Sequence, residues 1–567
     1  MNYQELYKTW YQTAPLSEEE RIVLKKMDGN DDEMKAAFGA ELQFGTAGIR
    51  GIMGLGTNRL NEFTVRRTAQ GLAAWLSATK LPQMCAIGYD SRHHSRDYAE
   101  ICAVALAEKG IKVFVYHELA PTPMLSYVVR QLGCGCGIVV SASHNAGAYN
   151  GIKCYGPDGC QMTDEPAAIV YKEICDIPYF VLPKESFDSC MAKGIVEYIA
   201  PELWESYYQT VLNERITDTP ADNLNLLYTP LCGTGNKPVR EVLGRIGVNI
   251  DIVKIQEQPD GDFKTCEYPN PETDAALNES YKIARLTNPD LILGTDPDCD
   301  RVAVAIPEGD SFRKLSGNEL GCLLLDYVLG ELSAKRKLPK EPVAVRSIVS
   351  SPLADKIAAK YGVKMKAVLT GFKYIGGEIL ALEEKGEEAR FVFGFEESCG
   401  YLKGTYARDK DAVVASMLTC DLAAKLKREG MNLAQKMDAL YAELGYHEAK
   451  VISVELKGPN AMELSAKFMS DFRANVPVAL CGIEVTSFTD YQSRITRDMI
   501  SGVESAVTLP KSNVVTLVLG DKGSVIVRPS GTEPKVKLYL TAVDLDRNVA
   551  KNLLASLAEA MNVYIPE

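Results

Sequence analysis

No stretch of 18 consecutive apolar residues occurs in this 567-residue chain, so no membrane-spanning helix is expected. An excess of basic residues is also missing. The formal net charge is −13, whereas a nucleic-acid binder normally carries the opposite balance, so that partner is not expected. An acidic body repels phosphate esters at long range, and any anionic substrate would need a local basic pocket. No C-x-x-C pair occurs among the 15 cysteines. Cys134 and Cys136 are too close for the usual zinc-ligand spacing. Several cysteines lie inside apolar strand or helix patterns, which fits reduced thiols used as small apolar residues in the cytoplasm. The opening MNYQELYKTWYQ is polar and amphipathic, unlike a signal peptide. No P-loop GxxxxGK[ST] is present, so a nucleotide need not be a phosphoryl donor. Nothing calls for an obligatory protein partner.

What is present is an ordinary globular composition, 46% apolar and 24% charged, over a length that suggests three or four domains. The first 40 residues read as helical, with a capping-box start at Ser17-Glu18-Glu19-Glu20. One unit then recurs at about 84–116, 224–253 and 342–369. Each has an apolar β-branched run, a polar loop, a helix with 3.6-residue periodicity, a glycine and a second strand. The repeat predicts three related α/β domains. From about 447 the pattern changes to strands, a helix near 460–473, antiparallel strands with turns at GDKG and PSGTEP, and a last helix. This predicts a separate C-terminal α+β domain. The expected boundaries are 1–214, 215–316, 317–446 and 447–567.

Open α/β sheets bind ligands beyond the carboxyl ends of their strands, and four loops stand out. In CGIVVSASHNAGAYNGIK, residues 136–153, an apolar strand stops at Ser141-Ala142-Ser143-His144-Asn145. Ser143 occupies the place of a nucleophile or phosphate carrier, although a polar turn would read the same way. It is not in a GxSxG elbow, so hydrolase chemistry of that type is not supported. In LILGTDPDCDR, residues 291–301, a strand runs into Asp296, Asp298 and Asp300. Three carboxylates so close are costly unless a cation neutralises them, and all-oxygen ligation favours Mg²⁺, Mn²⁺ or Ca²⁺, with a solvated acidic turn as the alternative. An EF-hand is excluded, because Arg301 and Pro307 stand at its glycine and glutamate positions. In FVFGFEESCGYLKGTYARDKD, residues 391–411, paired carboxylates and a serine suit vicinal sugar hydroxyls, although by itself the segment reads first as an exposed acidic turn. In VRPSGTEPK, residues 527–535, Arg528, Ser530, Gly531, Thr532 and Lys535 have the composition of a phosphate cradle. Together the loops point to phosphoryl transfer on a sugar phosphate.

These motifs resemble those of the α-D-phosphohexomutase family, in family order and over nearly the whole chain. FGTAGIRG at 44–51 is similar to the family's N-terminal segment. SASHN resembles its T-A-S-H-N-P serine loop, and DPDCDR its D-G-D-x-D-R metal loop. GFEES resembles its G-E-x-S sugar loop, and RPSGTEPK its phosphate loop. The length and TGFKYIGGEI at 370–379 favour the branch of long bacterial phosphoglucomutases and their phosphopentomutase relatives, and add Thr370 and Gly371 to the expected substrate contacts. Three departures stand out: Ala146-Gly147 replaces the motif's proline, suggesting a more mobile loop; Pro297 stands where glycine is common; Phe395 and Cys399 alter the sugar loop.

The resemblance implies mixed sheets around a central cleft, and a phosphoserine at Ser143. That serine would give its phosphoryl group to glucose 1-phosphate or glucose 6-phosphate through a bisphosphorylated sugar, with glucose 1,6-bisphosphate as activator. One Mg²⁺ would sit on Asp296, Asp298, Asp300 and an oxygen of the phosphorylated Ser143, with Arg301 beside it. Glu396 and Ser398 would read sugar hydroxyls, and Arg528 and Lys535 would hold the idle phosphate. Lys410 is the first candidate for the general base, Lys153 and Arg50 the next; cationic surroundings could depress a lysine pKa here. His144 is either a base or a group that orders the serine loop. Mannose or pentose phosphates are alternative substrates. A haloacid-dehalogenase-like phosphatase with Asp296 as nucleophile, and a non-catalytic sugar-phosphate binder, are the rival readings.

Overall fold

The computed structural model describes residues 2–45, 48–456, 461–529 and 535–564. Ser530, Gly531 and Thr532 of the expected phosphate cradle lie outside the described residues, as do Thr46 and Ala47 of the N-terminal segment. Helices Tyr3–Thr13, Glu18–Lys26 and Asp31–Phe38 open the chain. Ser17 caps the second, with its side chain and that of Glu20 satisfying each other's backbone amides. Trp10 is the hub of their packing, with Phe38, Phe63, Tyr179 and Phe180 edge-on around it.

The three recurring units fold with one topology. In the first, strand Met84–Tyr89 lies between parallel neighbours Lys112–Val115 and Cys136–Val140. Strand Tyr149–Tyr155 then returns antiparallel beside Cys136–Val140. In the second, Asn225–Thr229 lies between Asn249–Ile252 and Leu291–Thr295, and Val302–Glu308 returns antiparallel. In the third, Val343–Ser347 lies between Lys364–Val368 and Phe391–Glu396, and Gly400–Leu402 returns antiparallel. Cys136–Val140, Leu291–Thr295 and Phe391–Glu396 are buried throughout, which is why they read as unbroken apolar runs rather than alternating ones. An antiparallel return needs only a short loop. In all three units that loop carries the polar motif, at the carboxyl edge of a parallel strand.

The last unit is different. Seven strands, all antiparallel to their neighbours, run in the order Tyr446–Glu455, Lys535–Asp544, Gly523–Pro529, Val515–Val518, Ser487–Asp490, Ile495–Asp498, Glu504–Ala506. The described residues of the fourth motif are the end of Gly523–Pro529 and the start of Lys535–Asp544. One continuous apolar core includes residues from 86 to 441, so the first three units pack as a body. The last has its own core and meets the third through Val349, Leu369, Tyr491, Val514, Ile526 and Tyr539. All fifteen cysteines are free, and only Cys175 and Cys481 are exposed. No described helix is long and apolar enough to cross a membrane.

Candidate active site

Ser143 is 3% exposed and adopts φ +52°, the left-handed region that L-residues other than Asn and Asp seldom enter. Its Oγ donates to Asp296 Oδ2 at 3.1 Å and lies 3.3 Å from His144 Nδ1. Its amide donates to Ser141 Oγ at 2.8 Å. The missing proline at Ala146-Gly147 suggested a more mobile loop, and the structure ties the loop's carbonyls to one side chain. The fully buried guanidinium of Arg92 donates to the carbonyls of Ser143 at 2.6 Å, Ala146 at 2.8 Å and Tyr149 at 2.9 Å, and also to that of Asn145. Arg50, exposed on strand Gly48–Ile52, donates to Asn145 Oδ1 at 3.1 Å. Burial, then Arg301 and Arg50, push the His144 pKa well below its ordinary value, so its imidazole is neutral at pH 7.

Asp296, Asp298 and Asp300 are buried, and each places a carboxylate oxygen within 4.8 Å of the others. Asp296 Oδ1 accepts the amides of Asp300 at 3.1 Å and Arg301 at 2.9 Å. Asp298 Oδ2 accepts from Thr122 Oγ1 at 2.9 Å and from Lys153 Nζ. Asp300 Oδ2 faces Lys153 at 3.3 Å and Lys410 at 3.1 Å. Asp298 Oδ1 and Asp300 Oδ1 are buried without a hydrogen-bond partner. Buried polar atoms are seldom left so, and two carboxylate oxygens without hydrogen bonds in a cluster of three fit a hard divalent cation. Burial and the two neighbouring carboxylates raise Asp296 well above the usual range, while, against burial, Lys153 and Lys410 hold Asp298 and Asp300 below it. Pro297 sits against the turn after Asn225–Thr229: Thr234 N donates to its carbonyl at 2.8 Å, and a Cβ on Gly233 would stand 2.5 Å from its Cα.

The lysines do not have the depressed pKa that cationic surroundings would give. Burial works to lower Lys410, but Asp300, Asp409 at 3.0 Å and Glu396 outweigh it and hold the ammonium well above its ordinary value. Lys153 is raised as well, because Asp298 and Asp300 overcome its burial. Both are cations fixed beside the carboxylate triad.

A cleft of about 670 Å³ draws residues from all four units. His144 comes from the first and Arg301 from the second. Thr370, Gly371, Glu396 and Ser398 come from the third, and Arg528 and Lys537 from the fourth. Glu396 Oε1 accepts the amide of Gly371 at 2.7 Å, at a glycine whose φ of +115° suits no other residue. Burial raises the Glu396 carboxyl above its ordinary value, with Lys410 opposing, and pushes the neighbouring Glu397 up to about 7. Arg301 reaches Glu272 at 2.6 Å and Asp300 at 3.7 Å. Arg528 faces Lys537 directly across the hairpin. Lys535 opens its strand opposite Glu455, two residues before Lys537 and therefore on the same face. Ser143, the triad, Lys153, Lys410, Arg50 and Lys535 are not part of the cleft wall.

Reasoning from sequence missed Arg92, Thr122, Glu272, Lys373 and Lys537. The signal for Lys537 was present in PKVK, where period-two spacing pairs it with Lys535. Thr122 and Arg92 follow strands Lys112–Val115 and Met84–Tyr89, at the edge where chemistry was sought, but single Thr and Arg residues in loops carry no pattern. Lys373, 5% exposed, pairs across units with Asp164, which only the fold reveals.

Family models match in the same order as the units. They are the phosphoglucomutase/phosphomannomutase α/β/α domains I, II and III at 41–178, 205–309 and 316–444, and the C-terminal domain at 503–560. A phosphoglucomutase of Staphylococcus epidermidis is 36% identical over 515 residues, 90% of this chain and 92% of that protein. The chain belongs to the phosphoglucomutase/phosphomannomutase family. It is a phosphosugar mutase, an intramolecular phosphotransferase, and with that the phosphatase and binding-protein readings fall away. The fold has solved counterparts in this family. A putative phosphomannomutase of Thermus thermophilus is 22% identical, with a TM-score of 0.68 over 92% of this mutase and 99% of that chain. The open form of a Paramecium phosphoglucomutase is 18% identical, with a TM-score of 0.66 over 92% and 96%.

Proposed function

We propose that this mutase interconverts glucose 1-phosphate and glucose 6-phosphate through a phosphoserine at Ser143 and a bisphosphorylated sugar. The observation that carries the mechanism is the position of the Ser143 hydroxyl. It lies against Asp296 of the triad and beside His144, and His144 opens into the cleft. The preference for glucose rests on the 36% identity to a phosphoglucomutase over 90% of the chain.

In this reading the phosphoserine gives its phosphoryl group to a hydroxyl of a bound sugar monophosphate. The bond from phosphorus to Ser143 Oγ breaks, a bond to the sugar oxygen forms, and the sugar hydroxyl's proton ends on Ser143 Oγ. The bisphosphate turns around. Its other phosphoryl group then returns to Oγ, whose proton passes by way of the neutral His144 Nδ1 to the sugar oxygen set free. Glucose 1,6-bisphosphate loads an unphosphorylated Ser143 by this same half-reaction. Phosphoryl transfer asks the protein mainly for positioning and charge stabilisation. Lys153 and Lys410 supply fixed positive charge in their protonated forms rather than as bases. Mg²⁺, held by Asp296, Asp298, Asp300 and an oxygen of the phosphorylated Ser143, would neutralise the charge on the group in transit. Arg301 adds a cation at the cleft wall. Glu396, Ser398, Thr370 and Gly371 read sugar hydroxyls, while Arg528 and Lys535 grip the phosphate not being transferred. Lys537 joins them. Fifteen free thiols suit a cytoplasmic enzyme. Sugar phosphates are its partners, with no nucleic acid or membrane.

The two recognition loops are separable by experiment. One cradle must serve both 1- and 6-phosphates, so it contributes binding without distinguishing sugars. A charged hydrogen bond contributes roughly 1.5–3 kcal/mol. Arg528→Ala should therefore lower kcat/KM about 10- to 100-fold, equally for glucose and mannose phosphates. Glu396→Gln should instead change the glucose-to-mannose ratio. If Arg528→Ala shifts that ratio more than Glu396→Gln does, the two loops have been assigned the wrong way round. Turnover of glucose, mannose, glucosamine and ribose 1-phosphates by the parent enzyme tests the sugar preference itself.

A further inference from the structure

A turn of the second unit is seated on the serine loop of the first. Phe263 N donates to Asp260 O at 3.1 Å, and Asp262 N to Asp260 Oδ1 at 3.1 Å. Phe263 has φ +49° and is 1% exposed. A bulky side chain is a rare occupant of that region, and such an outlier persists only where its surroundings over-determine it. Here the guanidinium of Arg92, the group that holds the serine-loop carbonyls, lies 4.9 Å from the centre of the Phe263 ring. Two glycines permit the approach. A Cβ on Gly147 would stand 2.7 Å from Gly261 O, and a Cβ on Gly261 would stand 2.7 Å from His93 N. His93 Nε2 and Asp262 Oδ1 close the seam at 2.6 Å. Gly147, part of the departure from the family's serine motif, is thus the residue that this turn needs.

The same stretch also braces the metal loop. Gln256, 1% exposed, accepts from Thr229 Oγ1 at 2.6 Å and donates to Thr265 Oγ1 at 3.1 Å. Its carbonyl accepts from Cys232 N at 2.9 Å, and Thr234 N donates to Pro297 O at 2.8 Å. One connected segment therefore supports the loop of Asp296 on one side and Arg92 on the other.

We propose that residues 260–263, acting through Phe263 on Arg92, position Ser143 relative to Asp296 for phosphoryl transfer. The inference rests on the phosphoserine reading. Arg92 and Phe263 are positioning residues, since neither lines the cleft.

The test uses the full chain with Ser143 loaded by glucose 1,6-bisphosphate. Loading is read by intact mass, and transfer to glucose 1-phosphate by single-turnover kinetics. Phe263→Ala and Arg92→Lys should load but transfer roughly 10- to 100-fold more slowly, the scale of loss from a displacement of about 1 Å. KM should stay within about threefold. A lysine cannot replace the planar fork that spans several carbonyls. Phe263→Tyr keeps the aromatic face and should recover transfer to within about threefold. If Arg92→Lys does not fold, the two Phe263 variants decide. A folded Phe263→Ala that transfers at the parental rate, or whose KM rises as much as kcat falls, overturns the positioning role. A fully active parent enzyme that never carries phosphate on Ser143 overturns the phosphoserine reading, and this inference with it.

Discussion

Ser143→Ala should lower turnover of glucose 1-phosphate by on the order of 10³-fold or more, as the loss of a covalent carrier does. The substitution removes one oxygen. It leaves intact the Arg92 contacts to the loop carbonyls, which are made by the backbone of residues 143–149. The fold should therefore be retained, and the loss should appear in kcat rather than in the yield of folded protein. No neighbour can take over the role. His144 is the closest candidate, and its imidazole lies beside the serine oxygen rather than in its place. The measurement is kcat at saturating substrate, with glucose 1,6-bisphosphate present so that loading does not limit the parent enzyme. Activity near that of the parent would remove Ser143 from the carrier role.

Asp298→Asn should lower kcat by roughly 10²- to 10³-fold and weaken the dependence on Mg²⁺. A bound cation supplies several kcal/mol of charge stabilisation to phosphoryl transfer. Asn keeps the shape and can still accept from Thr122 and Lys153. It loses the charge and one of the two oxygens without hydrogen bonds that fit a cation. The check is a titration of activity with Mg²⁺ after EDTA treatment, run beside thermal unfolding to show that the chain is folded. An unchanged response to EDTA would contradict the triad as a metal site.

The architecture was legible because local pattern and tertiary role agree here. Three buried strands ending in polar loops read as unbroken apolar runs, and the repeat of 84–116, 224–253 and 342–369 reappears as one sheet topology built three times. The triad was legible for the same reason: three aspartates at alternate positions after a buried strand have few places to point. The support of the site was not legible. Arg92 is one arginine in a loop, and its worth comes from carbonyls more than fifty positions away. Phe263 lies in a long loop without periodicity. Cationic surroundings could have lowered a lysine pKa, yet Lys410 stands among Asp300, Asp409 and Glu396, which are distant in sequence or on its own loop and sum to the opposite shift. Ala146-Gly147 suggested a loose loop, and the fold uses the missing side chain for a close contact with Gly261.

The central claim is that Ser143 carries the phosphoryl group that reaches the sugar. It is tested most directly by following that group. The purified enzyme, loaded with glucose 1,6-bisphosphate and freed of it, is mixed with one equivalent of glucose 1-phosphate, and the intact mass of the protein is read with time. The account predicts a species heavier by one phosphoryl group before mixing, located at Ser143 and missing from Ser143→Ala. After mixing, its phosphate should appear in sugar bisphosphate at a rate no slower than kcat. A phosphoryl group located elsewhere, or one that leaves more slowly than the enzyme turns over, would contradict it.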